Sequence, residues 1–237
     1  MSYIQAIIAS ISASTGNGGG GGGGGGGPTF GSWTIEWWEK KLSPQTVSSP
    51  RVFAVGVDTS ASIGYSNESG GDYIWTGGTG TGPITVGSIV NAWHHFAICS
   101  DGTNLNFFKD GVLLTSATRA GSVITDASTP FYLGGDTNFC WKGRITDLHI
   151  LKGVAKYTAN FTAPSARLST ESNTVLLYQF MDNTFTGTTG PSIDTNTGTT
   201  YSTDSPFGAG QGGSVQFAGT TSSYLKWAGS SIFALDA

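Results

Sequence analysis

Paired carboxylates are the first chemistry to look for in this 237-residue chain, because two acidic side chains beside one glycosidic bond can cleave it. The chain has four glutamates, at Glu36, Glu39, Glu68 and Glu171. Only Glu36 and Glu39 are close in sequence, and residues three apart on a strand point to opposite faces. The spacing therefore predicts no catalytic pair, and we expect the protein not to be an enzyme.

Histidine and cysteine are the other residue types that could hold a metal ion. His94 and His95 are adjacent, so only one of them can face a core, and His149 falls on another predicted strand. They lack partners at metal-ligand spacing, so we interpret them as structural. Cys99 and Cys140 fit two buried free thiols, with one bridge between neighbouring strands as the alternative.

Aromatic and amide side chains between residues 65 and 75 could bind a sugar, because rings stack on sugar faces and amides bond to hydroxyl groups. The sequence leaves two interpretations open here, a packed loop and a contact surface. We interpret Trp33, Trp37, Trp93 and Trp227 as core residues instead. The candidate glycan contacts are Tyr65, Asn67, Tyr73 and Trp75, with Trp141 as a neighbour.

Composition excludes two classes of partner. Charged residues make up 11% of the chain, the net charge is -4, and Lys and Arg form no cluster, so phosphate neutralisation on nucleic acid is not expected. The apolar N-terminal run lacks a positive start and is far shorter than a membrane span, so we expect no membrane partner. An aromatic content of 12% indicates a folded chain despite its 37 glycines.

Residues 1–27 differ in composition from the remainder. Residues 1–17 are apolar and uncharged, with isoleucines on one face of a helix, although the same composition also suits a strand. Such a segment either packs on its own domain or docks on other copies or on a larger particle, and we favour docking. The predicted assembly anchor comprises Tyr3, Ile4, Ile7, Ile8, Ile11 and the ten-glycine run between Gly18 and Gly27.

The rest of the chain has the periodicity of strands. In residues 34–38, Ile35 and Trp37 alternate with polar neighbours and should share one face. Asp-Gly pairs at 101–102 and 110–111 separate apolar runs and predict two successive hairpins. We expect a loop region between residues 58 and 82, and at most one helical turn, near residues 154–157. The prediction is an all-β protein.

These hairpins carry a family resemblance. The chain resembles the laminin G-like, concanavalin A-like jelly-roll domain, an antiparallel sandwich of two sheets. The matching segments are residues 93–98, 101–102, 105–111, 131–135 and 142–150. Residues 151–157 and 161–164, with the connector near 194–213, are similar to variants in phage and other viral structural proteins.

The order of the pieces departs from that family. Residues 214–237 resemble the opening strands of such a domain, yet they come last, so the domain looks circularly permuted. We predict an anchor at 1–27 and one sandwich at 28–237, with a connector at 184–213 and returning strands at 214–237. The returning strands either close on their own chain beside residues 175–181 or enter a neighbour, and we favour closure.

The resemblance implies a non-enzymatic virion structural protein, such as a capsid decoration, fibre or tail-associated subunit. The alternative is a glycan-binding adhesin or lectin. The expected partners are other virion proteins, copies of itself as a homo-oligomer, or a cell-surface glycan. The expected location is the virion, with synthesis in the host cytoplasm, or otherwise the extracellular space. The family also raises calcium as a cofactor, with Asp58, Asp72, Asp136 and Asp182 as weak candidates and no other cofactor expected.

Overall fold

The computed structural model describes residues 30–56, 63–68, 71–76, 79–119, 128–135 and 138–236. Apart from a short 3₁₀ turn at Ser231–Phe233, the regular structure in these ranges is β-strand. The strands are Ser32–Lys41 (β1), Arg51–Val55 (β2), Ile63–Glu68 (β3), Gly71–Thr76 (β4), Thr79–Ile84 (β5), His94–Asp101 (β6), Asn104–Lys109 (β7), Val112–Thr118 (β8), Phe131–Leu133 (β9), Lys142–Lys152 (β10), Thr174–Tyr178 (β11), Thr195–Thr197 (β12), Thr200–Ser202 (β13), Ser214–Ala218 (β14) and Tyr224–Trp227 (β15).

The strands form two antiparallel sheets, which we call sheet A and sheet B. Sheet A has the order β13-β14-β10-β1-β6-β7-β8, with β11 also paired to β10. Sheet B has the order β12-β15-β9-β2-β3-β4-β5. The apolar faces of the two sheets pack on each other, and the core between them is rich in aromatic side chains. The predicted two-sheet sandwich is confirmed.

Strand β1, at the centre of sheet A, shows how the alternation of apolar and polar residues decides which side chains enter the core. Trp33, Ile35 and Trp37 all point into the core and are fully buried, as the sequence predicts. The tryptophan interpretation also holds for Trp227, whereas Trp93 is half-buried. Within the described residues, no helix is long and apolar enough to span a membrane.

Both Asp-Gly hairpins form where the sequence predicts them. The first joins β6 to β7, where the Asp101 carboxylate accepts hydrogen bonds from the backbone N–H groups of Thr103 and Asn104. The second joins β7 to β8, and both Asp110 and Gly111 have positive φ there, at 51° and 80°. Two such residues make the turn twist with the strands, which explains the strength of the motif.

Two segments differ from the sequence prediction. The stretch expected to be a loop carries β3, β4 and β5, and these strands bury Tyr65, Ile74 and Ile84 against the core. The connector contains β12 and β13, while residues 154–157 have no helical turn. Glycine, serine and threonine weaken the alternation in these short strands, so pairing with neighbours decides their conformation rather than local propensity.

The returning strands β14 and β15 pair within their own chain. Strand β15 joins β9 and β12, and Trp227 packs against Phe131 and Tyr178 with ring centroids 5.6 and 5.0 Å apart. Strand β14 pairs with β10. The expected pairing of β14 with residues 175–181 is wrong, because β11 and β14 lie end to end along the same edge of β10.

The gap between β11 and β14 is filled by Arg167. Asp147, between the two halves of the β10 edge, has a φ of 51° and its carboxylate lies 2.5 Å from Arg167 Nη1. The same guanidinium donates to the carbonyl of Gln179, just after β11, and to that of Gly213, just before β14. One side chain therefore supplies hydrogen bonds to the backbone carbonyls on both sides of the interruption in the ladder.

The C-terminal residues lie against the start of β1. Arg119 and Asp236 form a two-pronged ion pair with N–O distances of 2.8 and 2.6 Å, and their side chains are 0% and 4% exposed. Gly31 is required here because a Cβ would lie 2.7 Å from the carbonyl oxygen of Leu235. Asp236 is thus joined by a buried ion pair to the residue that follows β8, while Gly31 packs closely against Leu235 and Asp236.

We expect Asp236→Ala to lower the free energy of unfolding by about 3–5 kcal/mol, because it leaves the Arg119 guanidinium buried without its carboxylate. Urea denaturation measures this change. Asp194→Ala is the matched control and should change the stability little, since its partner Lys226 lies 3.1 Å away at the surface, where water screens the ion pair. Equal losses in the two variants would contradict the prediction.

Candidate functional site

The outer face of sheet A is covered by residues 153–173, which we call the strap. Tyr157 and Phe161 of the strap stack on each other with centroids 3.5 Å apart. Together they pack over Ala97, Cys99 and Phe108, forming a second, smaller apolar cluster. The strap therefore removes from solvent a face on which β1, β6 and β10 place polar side chains.

Glu36 lies at the centre of this covered face and is fully buried. It faces His149 across the β1–β10 ladder, and His149 Nδ1 lies 2.9 Å from one carboxylate oxygen. Lys156 Nζ approaches the same oxygen at 2.8 Å. The other oxygen accepts a hydrogen bond from the Tyr157 hydroxyl at 2.9 Å and lies 3.3 Å from His95 Nε2. We call these five residues the Glu36 cluster.

The electrostatics of the cluster fix Glu36 as a carboxylate. Burial by itself would raise the pKa of Glu36, but the contacts with His149 and His95 and the charge of Lys156 hold it well below its usual range. Burial and the Glu36 charge raise the pKa of Tyr157, which stays a neutral donor. Burial also raises the pKa of Cys99 to about 12. A permanently ionised carboxylate under the strap suits an ion pair better than proton transfer.

Two members of the cluster, with Glu171 of the strap beside them, are of the donor types of a metal site. Glu36, His149 and Glu171 bring ligand atoms within 4.8 Å of one another. No sequence pattern indicates this set, because its members are far apart in the chain and come together only through the pairing of β1 with β10 and the folding of the strap over them. Lys156 Nζ lies 2.8 Å from Glu36 and 2.5 Å from Glu171, so an ammonium group already bridges both carboxylates. A metal ion would have to displace it.

Glu39 points to the opposite face of β1, as the spacing predicts. Its Oε2 accepts a hydrogen bond from Trp37 Nε1 at 2.7 Å, while its buried Oε1 has no hydrogen-bond partner among the described residues. Burial, with the nearby charge of Asp72, raises the pKa of Glu39 to about 8. Glu36 and Glu39 therefore do not flank one bond and cannot act as a pair on a substrate.

The predicted glycan contacts are brought together, but inside the protein. Tyr65, Asn67 and Trp141 are fully or almost fully buried, so their interpretation as a contact surface is wrong. Trp141 Nε1 donates to Asn67 Oδ1 at 2.6 Å, and Asn67 Nδ2 donates to the Tyr65 hydroxyl at 3.0 Å. Tyr73 is half-buried, and the side chain of Trp75 lies outside the described residues.

The remaining candidates have different outcomes. Asp72 is buried and accepts hydrogen bonds from Tyr65 and Asn67, so it serves the core network. Asp182 is exposed and binds the backbone N–H and hydroxyl of Thr184, which is a turn contact. Cys99 and Cys140 are buried free thiols, as predicted. Outside the described residues lie Asp58, Asp136 and the anchor residues Tyr3, Ile4, Ile7, Ile8, Ile11, Gly18 and Gly27.

An open cleft of about 390 Å³ lies between the end of β11 and the connector. No hydrophobic periodicity in the sequence indicates this cleft, because its walls come mostly from turns. We call it the connector cleft. Its lining residues are Tyr178, Thr184, Phe185, Thr186, Gly187, Gly190, Ser192, Ile193, Asp194 and Asn196.

We expect Glu39→Gln to be more stable than the wild type above pH 8, and the advantage to disappear below pH 4.5. In the wild type, the folded state holds a proton up to about pH 8, whereas an unfolded glutamate loses it near pH 4.5. Stability is therefore lost as pH rises between these values, by roughly 3–5 kcal/mol in total. The amide still accepts from Trp37 but does not ionise.

Urea denaturation of both proteins between pH 4 and pH 9 measures this difference. Glu171→Gln, which alters a surface glutamate, is the matched control and should keep the pH dependence of the wild type. A constant difference between Glu39→Gln and the wild type over the whole range would show that Glu39 is ionised in the folded protein.

Comparison with known proteins places the sandwich in a family. A family model described as the concanavalin A-like lectin/glucanases superfamily matches residues 25–157. A search of the curated proteins finds no match.

Three solved structures align with parts of the chain at low identity. A Bacteroides ovatus protein provisionally assigned as a carbohydrate binding protein aligns with a TM-score of 0.47 and 13% identity, over 85% of this chain and 55% of its own. An alginate lyase of polysaccharide lyase family 7 gives 0.31 and 13%, over 38% and 42% of the two chains. A Corynebacterium alginate lyase gives 0.28 and 22%, over 39% and 42%.

The chain thus spans about half the length of these structures. The family match covers more than half of the chain and agrees with the two antiparallel sheets described above. This chain belongs to the concanavalin A-like lectin/glucanases superfamily.

Proposed function

We propose that the chain is a non-enzymatic structural subunit of a virus particle that displays a lectin-like β-sandwich. The observation that carries the non-enzymatic part is the burial of Glu36 and Glu39 on opposite faces of β1. Each carboxylate has a fixed structural contact, and the strap covers the face of β1 that carries Glu36. The sandwich is then a displayed body rather than a catalyst.

The viral part of the proposal is supported by the sequence. Residues 1–27 combine an apolar, uncharged segment with ten glycines, which suits an anchor that holds copies together. Residues 151–157 and 161–164, with the connector near 194–213, also resemble variants in phage and other viral structural proteins. Phe30 donates its backbone N–H to Gly102 at one end of sheet A, so an anchor before it would attach there.

We also propose that the domain is circularly permuted. The contact of Gly31 with Leu235 and Asp236 supports this, because a chain with the usual order would pass directly from one segment to the other. The hydrogen bond from Trp33 Nε1 to Asp236 Oδ1 at 3.3 Å would then join the two segments in place of the missing covalent connection.

Deleting residues 1–27 should leave a folded monomer, while the full chain forms a larger homo-oligomer. Light scattering gives the molar masses, and thermal unfolding shows whether the sandwich stays intact. A full-length variant with serine in place of Ile4, Ile7, Ile8 and Ile11 controls for chain length and should behave like the deletion. Equal molar mass for the full chain and the deletion would overturn the anchor.

Glu36→Gln should lower the free energy of unfolding by about 2–4 kcal/mol, because Lys156 loses its buried counter-charge while the cluster keeps its shape. Urea denaturation measures the loss, and Glu171→Gln at the surface should cost less than about 1 kcal/mol. If the wild type cleaved a polysaccharide and Glu36→Gln abolished cleavage without loss of stability, the non-enzymatic proposal would fail.

Glycan binding is a second candidate function, as in an adhesin or lectin. The connector cleft favours it, because it is a concave site with polar and aromatic lining. The buried set of Tyr65, Asn67 and Trp141 is not its basis. A glycan array with the full chain tests this function, and binding to no glycan would remove it.

A further inference from the structure

The connector cleft is held open by contacts of its own walls. Its loop is fixed to β11 by an antiparallel bridge between Leu177 and Thr189, with hydrogen bonds of 3.0 Å from Leu177 N and 2.8 Å from Thr188 N. Gly187 lies so close to the Tyr178 ring that a Cβ would come within 2.5 Å of it. A site that is already formed loses little conformational entropy when it binds a ligand.

The floor of the cleft is aromatic. Tyr178 is buried, and its hydroxyl donates to the carbonyl of Pro191 at 2.7 Å, which fixes the ring. Phe185 is half-buried and packs edge-on against Phe180 with centroids 6.0 Å apart. Both phenylalanines have positive φ, at 52° and 50°, which is uncommon for a bulky side chain. The backbone is therefore strained at both positions, one in the lining of the cleft and one just behind it.

The rim offers hydrogen-bonding groups that the protein itself leaves unused. Asn196 and Ser192 are both exposed. Asn196 Oδ1 accepts from Thr199, but its amide nitrogen makes no hydrogen bond to the described residues. The Ser192 hydroxyl likewise has no partner within the described part of the chain. An amide donor and a hydroxyl above an aromatic floor match the alternating hydroxyl and C–H groups of a sugar ring.

The charge of the cleft distinguishes between classes of sugar. None of the lining residues is basic, and the single acidic one, Asp194, forms an ion pair with Lys226 at 3.1 Å. The hydrogen bond from Lys226 and that from Thr195 lower the pKa of Asp194, so its carboxylate is ionised. The carboxylate of an acidic sugar would have no basic lining residue to pair with, and the Asp194 carboxylate would repel it.

We propose that the connector cleft binds a short segment of a neutral saccharide. The sugar ring would lie on Phe185, with its hydroxyl groups bonded to Asn196 and Ser192. This inference rests on the second candidate function, glycan binding, and is independent of attachment to a particle.

The test uses the full chain and an array of neutral oligosaccharides, namely gluco-, manno-, xylo- and galacto-oligomers, together with the acidic oligomers of alginate and polygalacturonate. Calorimetry then measures the affinity for the strongest neutral oligomer. The double variant Asn196→Ala/Ser192→Ala should bind about tenfold or more weakly, as expected for loss of one or two hydrogen bonds. Its thermal midpoint shows that it is folded.

Asn183→Ala is the matched control, because Asn183 is exposed beside the cleft but does not line it. It should bind as the wild type does. Preference for the acidic oligomers, or an unchanged affinity of the double variant, would overturn the cleft assignment while leaving glycan binding intact. Binding to no oligomer at all would overturn both the assignment and the second candidate function.

Discussion

Strand β10 has to pair with two different strands along one edge, and Arg167 makes this arrangement stable. The backbone turns at Asp147, where neither β11 nor β14 can reach, and polar groups would be buried there without partners. Arg167 brings five N–H donors in a fixed plane, which suits carbonyls and a carboxylate that converge from three segments. The strap that carries Arg167 is thereby tied to β10, to the residue after β11 and to the residue before β14.

The same strap buries the outer face of sheet A. A face with a glutamate and two histidines resembles a catalytic surface in composition, yet here it is an interior. Burying charged groups is costly unless they are paired, and the Glu36 cluster shows how many partners one carboxylate needs. This face is therefore not available at the surface, whereas the connector leaves an open cleft at the margin of the sandwich.

Local pattern was enough for some elements and not for others. The alternation around Ile35 and Trp37 and the two Asp-Gly turns were predictable, because each depends on neighbours in sequence. The contact of Glu36 with His149 depends on the register between β1 and β10, over a separation of 113 residues, and no local pattern reports it. Tyr65 and Asn67 look like a surface loop in sequence, but hydrogen bonds with Asp72 and Trp141 satisfy them inside the core.

The position of β14 has a consequence for the nascent chain. Residues 142–145 of β10 have their partner at residues 215–218, so this edge stays open until those later residues have been synthesised. The hairpins β6–β7 and β7–β8 are local and can form early, whereas an open strand edge is a template for pairing with other chains. The interval between synthesis of β10 and of β14 is therefore the period in which a second copy could supply the missing strand.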